Sequence, residues 1–217
     1  MARARNPFGR AQECLRAGLR EGLFPSGGPL IVVELAQTLN LSPTPVREAL
    51  AHLAGEGLIV DQRGRGYFAP RHDAGDLVEL HQLHMNYVAF ALRLRDEESP
   101  PVTASRVWGS SQLATALACT KDQGVALRDF VEALFSELVA QGGHKLLSEV
   151  HRTLADKLAP IRKHEDRLFT DLREEAERLA ALRDADRFDE LETAIRAYHD
   201  RRIDAARRLV EIRRRLR

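Results

Sequence analysis

The chain has 217 residues, 44% hydrophobic and 30% charged, with a formal net charge of +1; this is the make-up of a globular protein with one large or two small domains, not of a disordered one. Its longest apolar runs, such as PLIVVELA, fall far short of the roughly 20 residues a membrane-spanning helix needs, and MARARNPFGR lacks the apolar core of a signal peptide, so a cytoplasmic protein with no membrane partner is expected. Only Cys14 and Cys119 are present, without CxxC spacing, which signals neither a disulfide framework nor a structural zinc site and leaves two buried free thiols as the expectation.

Residues 1–72 carry nine Arg against six Asp or Glu, a net of +3 that leaves −2 for the remainder, a balance compatible with a nucleic-acid partner for the N-terminal part. Arg3 and Arg5 stand in a tail that could serve as a basic arm. QECLRAGLREGLF places Cys14, Leu15, Leu19 and Leu23 near helical spacing and predicts an amphipathic helix ended by Pro25 and the Gly27-Gly28 pair. PLIV reads as a short strand and VELAQTLN as a second helix with Asn40 as its C-cap. In the third helix Val46, Leu50 and Leu53 face inward while Thr44, Arg47, Glu48 and Ala51 lie on other faces. Ser42 and Thr44 are alternative N-caps, each followed by a proline in the first-turn region, where a missing N–H is tolerated. Gly57 closes this helix, and LIVDQ and YFAP are strand-like around the Arg63-Gly64-Arg65-Gly66 turn.

Near residues 70–75 the pattern changes to almost unbroken helical periodicity, which divides the chain into domains of residues 1–72 and 73–217. Six helices are predicted beyond the boundary, over 74–95, 104–118, 122–141, 143–159, 162–184 and 187–214, with breaks at Ser99-Pro100-Pro101, Asp122-Gly124, Gly142-Gly143, Pro160 and RDADRFD. The fold class is therefore mainly α: an N-terminal winged helix-turn-helix followed by an all-α helical bundle. In such a reader the second helix of the turn offers its first turns to the major groove. Arg47 can meet guanine O6 and N7 bidentately, and Arg63 and Arg65 can lie along the backbone or in the minor groove, with Gly64 and Gly66 letting the main chain approach phosphates. No Ser-His-Asp arrangement, phosphate loop or HExxH motif is present, so an enzyme is not expected.

LSPTPVREALAHLAGEGLIVDQRGRGYFAP resembles the DNA-binding domain of the GntR family of bacterial transcription regulators, over about residues 8–71. The resemblance implies DNA contacts from Ser42, Thr44, Arg47, Arg63, Gly64, Arg65 and Gly66. Pro43 departs from the pattern, since relatives usually carry an Arg there that touches DNA. The helical part is similar to the effector-binding FCD-type domain of the FadR subfamily, in its short six-helix VanR-like form. This implies a homodimer on a palindromic double-stranded operator, acting as a repressor and controlled by a small metabolite. The positions at which many relatives bind a divalent metal become Glu132, Ser136, Glu175 and Tyr198, with His199 one residue from the last, and His81 stands where relatives often carry an effector-binding Arg. Three lost imidazoles leave only hard oxygen donors, so no tight transition metal and no cofactor are expected. Glu132 and Glu175 together suit a neutral or cationic ligand as readily as an acid. The alternative is a helical domain that has lost effector and metal binding and only dimerises.

Overall fold

The computed structural model describes residues 6–94, 110–119 and 122–215, and the chain divides into two compact units, Met1–His72 and Asp73–Leu216. Arg3 and Arg5, and residues 95 and 104–109 of the predicted helices, lie outside the described residues.

The first unit runs α1 (Pro7–Arg20), β1 (Pro29–Leu30), α2 (Val32–Leu39), α3 (Pro43–Gly55), β2 (Val60–Gln62) and β3 (Gly66–Phe68). Asn6 caps α1 by accepting the amide of Phe8 at 3.2 Å, and Pro7 opens the first turn. The buried stripe of α1 is Ala11, Leu15 and Gly18. Cys14 sits about 100° round the helix from Leu15 and is exposed, as is Cys119, so the expectation of buried thiols fails. The helix also ends earlier than expected: it stops at Arg20, Gly22 takes a positive φ of 65°, and Leu23 is 70% exposed. Gly18 earns its place by proximity, since a Cβ there would lie 2.9 Å from the Phe24 ring.

Asn40, left-handed at φ 52° and ψ 53°, ends α2 as its C-cap. Ser42 is the N-cap of α3, without a side-chain cap bond, and α3 takes Pro43, Thr44 and Pro45 as its first three residues. Val46, Ala49, Leu50 and Leu53 of α3 are all fully buried and join Ala11, Leu15, Leu30, Ala36, Leu58 and Ile59 in one core. Gly57, at φ 69°, follows the helix. The strands form an antiparallel sheet in the order β1-β3-β2, with Pro29 opposite Phe68 and Gln62 opposite Gly66. This is a winged helix-turn-helix.

The second unit is all helical among the described residues: α4 (Ala74–Arg93), α5 (Ser110–Cys119), α6 (Gln123–Gln141), α7 (Lys145–Arg162), a 3-10 turn (Glu165–Arg167), α8 (Leu172–Asp184), α9 (Phe188–Asp204) and α10 (Ala206–Arg215). Asp73 and Asp76 make a reciprocal capping box at the start of α4, with bonds of 2.8 and 3.0 Å. Three boundaries depart from the sequence expectation. α7 continues through Pro160 to Arg162, because a proline in the last turn removes only one helical bond. The predicted helix 162–184 begins instead at Leu172, after the 3-10 turn, and the predicted helix 187–214 is broken at Ala205. No described helix is long and apolar enough to cross a membrane.

The interior of this unit is layered. One apolar cluster takes Val88, Ala91 and Leu92 from α4, Leu147 from α7 and Leu191, Ala194, Ile195 and Tyr198 from α9; a second takes Leu77 and Leu80 from α4, Leu154, Leu158 and Ile161 from α7 and Ala205, Leu209 and Val210 beyond α9. Between them, at one level on the same three helices, lie His81 and His84, His151, and His199 with Arg202, all buried.

Candidate nucleic-acid interface and effector cavity

On α3 the inward residues leave a complementary outward stripe. Thr44, Arg47, Glu48 and Ala51 recur at three and four residues, all exposed, with exposed Ser42 at the helix entrance. The stripe is rigidly backed. Arg16 of α1 pairs with Glu56, Gln12 meets His52 Nδ1 at 3.0 Å, and Arg10 donates to the Leu39 carbonyl at 3.0 Å. Those arginines hold helices together, whereas Arg47, Arg63 and Arg65 form no ion pair among the described residues.

The wing is a three-residue hairpin in which the Arg65 amide donates to the Gln62 carbonyl at 2.8 Å. Gly64 and Gly66 have φ of 73° and 94°, the left-handed region where a side chain would be strained, while a Cβ at either would meet nothing within 4 Å. Arg63 to Gly66 are all exposed. Tyr67, next in the chain, packs against the core and anchors the hairpin. The arrangement presents unpaired guanidinium groups on a helix face and on a loop tip, the two places from which base edges and phosphates are reached.

The positions carried over for the second unit are distributed differently. Ser136 is exposed, and the inward residue of that turn is Phe135, fully buried. Glu132 is half-buried on α6. Glu175 and Tyr198 do come together, at a cavity of about 220 Å³ that Arg128, Arg162, Glu165 and Arg202 also line.

Arg202, 1% exposed, organises the cavity wall. Its Nε and one terminal nitrogen donate to Glu165 Oε2 at 3.0 and 2.7 Å; its terminal nitrogens donate to both oxygens of Glu175 at 3.0 and 2.8 Å and to the Tyr198 carbonyl at 2.8 Å. All five N–H groups are thereby used, and the guanidinium carbon lies 3.3 Å from the centre of the Tyr198 ring. Burial works against the charged form of Arg202, but the carboxylates of Glu165 and Glu175 outweigh it and hold the group protonated above its ordinary range. Burial also pushes the Tyr198 phenol up to about 12. Arg201 adds pairs to Glu175 at 3.5 Å and to Asp171. Glu175 is thus engaged by two arginines and Glu132 is absent from the lining, so the expectation of a cavity with two available carboxylates is corrected: its wall is cationic or neutralised.

A divalent metal does not fit this donor set. Ser136 points outward, Glu175 is bound to Arg202, Tyr198 is a neutral phenol under a guanidinium, and a cation placed between them would face Arg202 and Arg162. Among the described residues no three His, Cys, Asp or Glu side chains are arranged to hold one metal ion.

His81 and His199 line the polar layer and are not among the residues lining the cavity. His199 Nδ1 lies 2.8 Å from the Ile195 carbonyl, which can only accept, so Nδ1 carries the proton. Its Nε2 is therefore an acceptor, and His84 Nδ1–H donates to it at 2.8 Å. The His84 ring centre is 4.7 Å from that of His151, and His81 is 5.7 Å from His199. Burial, reinforced by the Arg162 charge, lowers all four: His151 to about 4, His199 to about 3, and His81 and His84 well below the ordinary imidazole range. The sequence reading singled out His81 and His199 separately and missed the convergence of four rings, in which His84 and His199 share the interhelix hydrogen bond. The signal was present, since each His occupies a position in its helix where the apolar stripe continues.

Residues 9–68 match the family model described as bacterial regulatory proteins, gntR family. A segment of 71 residues is 38% identical to the Nta operon transcriptional regulator of Aminobacter aminovorans, covering 33% of this chain and 34% of that protein. Another of 129 residues is 28% identical to an uncharacterized HTH-type transcriptional regulator in the TAR-I ttuE-ttuC' intergenic region of Agrobacterium vitis, covering 59% and 65%. The chain thus spans about a third of the first relative's length and just under two thirds of the second's. Among solved structures, E. coli McbR/YncC superposes with a TM-score of 0.70 at 19% identity over 93% of this chain and 97% of that one. A GntR transcriptional regulator from Rhodococcus sp. RHA1 gives 0.71 at 18% over 94% and 97%. These likenesses show a shared fold. Residues 9–68 are thus similar to the helix-turn-helix domain of gntR-family bacterial regulatory proteins.

Proposed function

We propose that the chain is a sequence-specific DNA-binding transcriptional regulator, a repressor of the FadR subfamily that binds a palindromic operator as a homodimer and is controlled by a small molecule held in its helical domain. The observation that carries this reading is the exposed stripe of Ser42, Thr44 and Arg47 on a fully buried backing, beside a wing whose arginines form no ion pair among the described residues. A single reader of this size offers few base contacts, so two copies on related half-sites supply the specificity. Control requires a ligand that binds the DNA-competent and released states unequally.

Selection of duplexes from a random pool by the full chain, followed by anisotropy titration, tests the reading. The expected result is a palindromic site bound by two copies about 10³-fold or more tighter than random duplexes at physiological salt. No enrichment, or equal affinity for all duplexes, would sink it. Effector control is expected as a change of about 5–150-fold in operator affinity on adding the ligand.

A second reading makes the helical domain only a dimerisation unit. It is favoured by Arg202, which fills the family's ligand positions with an internal ion-pair network. Ligand-independent operator affinity across a metabolite panel would support it.

A further inference from the structure

Two kinds of arginine in the helical unit lack partners. Arg162, 3% exposed, has no hydrogen-bonding protein partner for any guanidinium nitrogen and belongs to the cavity already described. The others stand on α10. This helix buries Ala206, Leu209 and Val210 and turns Arg207, Arg208, Glu211, Arg214 and Arg215 outward. None of those four arginines forms an ion pair among the described residues, and Glu211, one helical turn from each of them, pairs with none. Cations in the last turn answer the negative end of the helix dipole. Arg207 and Arg208 do not, because they occupy the first turn, which holds no acidic residue and where the dipole disfavours a cation.

The positive field extends beyond the helix. His164, half-buried just past the end of α7, is lowered from its ordinary range first by burial and then by the Arg167 and Arg213 charges, with Lys163 adding to them and Asp166 opposing. Arg207 and Arg214 also line a groove against Asp73 and Gly75 at the start of α4.

We propose that the outward face of α10 is a second, sequence-independent DNA-binding surface whose arginines meet backbone phosphates. Arg207 and Arg214, like Arg208 and Arg215, are seven residues apart, about 10.5 Å along the helix. One DNA strand offers a charge about every 3.4 Å of the duplex axis, so each pair spans about three phosphates. The planar fork of a guanidinium donates bidentately to a phosphate. A bilayer fits this face less well, since a helix lying on a membrane buries an apolar side, and the apolar side of α10 is already inside the bundle. The inference rests on the reading of the chain as a DNA-binding regulator and adds to it a contact from the helical domain that carries no sequence preference.

Anisotropy titrations of the full chain on the selected operator and on a random duplex of equal length, across a series of potassium chloride concentrations, test the proposal. Each phosphate neutralised steepens the dependence of log affinity on log salt by about 0.9. Arg207→Gln, Arg208→Gln, Arg214→Gln and Arg215→Gln combined are expected to make that slope shallower by about 2–4 per bound chain. They are also expected to weaken both duplexes by the same factor, about tenfold or more at physiological salt, with the ratio between the two unchanged. The corresponding lysine variant keeps the charges and is expected to keep the slope, and the melting temperature is expected to be unchanged in both variants. A slope that the glutamine variant leaves unaltered overturns the surface, while a persisting operator preference keeps the regulator reading. Salt-sensitive binding that the variant loses, without preference for any sequence, keeps the surface and sinks the regulator reading. No binding of either duplex would overturn both. Loss of slope in the lysine variant as well would assign the effect to packing rather than charge and overturn the proposal. Capture of the wild type but not the glutamine variant by phosphatidylserine vesicles, with equal slopes on DNA, would assign the face to a membrane instead.

Discussion

The two units of this chain treat charge in opposite ways. In the winged helix domain the buried set is apolar, Ala11, Leu15, Val46, Ala49, Leu50 and Leu53 among them, and Arg47, Arg63 and Arg65 stand in water. In the helical domain four histidines and Arg202 lie inside, between two apolar clusters, and Arg162, Arg183 and Glu165 are buried as well. Exposed cations can meet a charged polymer, whereas the buried ones here are committed largely to partners inside the bundle. The difference also sets how each domain responds to its surroundings, since surface charge is screened by salt and buried charge answers to pH and to its partners.

Acid should break the comparison most strongly. Unfolded, the four imidazoles take up a proton near pH 6.5; folded, burial holds His151 near 4 and His199 near 3, with His81 and His84 also lowered. Between those values the unfolded chain binds more protons than the folded one, so the histidine contribution is complete above about pH 6.5 and is lost as pH falls, by as much as about 1.4 kcal/mol per pH unit for each ring. Urea denaturation at pH 7.5, 6 and 5 is expected to show the helical domain weakening steeply while the winged helix domain changes little. Parallel loss in both domains would refute the neutral layer.

A single substitution in the layer comes next. Arg202→Leu leaves Glu165 buried without its cation and is expected to cost about 3–5 kcal/mol, read as a lower urea midpoint for the helical domain with operator half-site binding by the winged helix domain retained. A change below about 1 kcal/mol would place the network's contribution with exposed ion pairs instead. On the other side, Arg47→Ala is expected to cost about 1–3 kcal/mol of discrimination per half-site and, as an exposed substitution, within about 0.5 kcal/mol of stability. Arg65→Ala is expected to weaken all duplexes alike and to reduce the salt slope by about one. Similar loss of specificity from both would merge the roles of helix and wing.

How much of this was legible in the sequence follows from the distances over which each feature is written. Val46, Leu50 and Leu53 declare the buried face of α3 by local spacing, and Arg47 is exposed by the same geometry. Cys14 misled because a thiol scores as apolar while the actual stripe uses the small residues Ala11 and Gly18. Ser136 stands in water while Phe135 beside it faces inward, since neighbouring helical side chains point about 100° apart. The Arg202 network was illegible for a different reason. Glu165 is 37 residues from Arg202 along the chain, with the 3-10 turn and α8 between them, and no periodic pattern relates residues joined only by the packing of the bundle. The unpartnered state of Arg162 is likewise visible only once its neighbours are in place.

Pro43 and Pro45, at the entrance of α3, bear on a state of the protein that has no contacts at all. Each holds its own φ near −65° in the unfolded chain and each biases the residue before it, Ser42 or Thr44, away from helical backbone, so the start of the reading surface samples few conformations before it folds. Replacing either by alanine is expected to destabilise the domain by about 0.4–1 kcal/mol, read in equilibrium denaturation, through the disorder it returns to the unfolded ensemble. The two prolines thus offer, in this chain, a lower entropy of ordering for the start of α3.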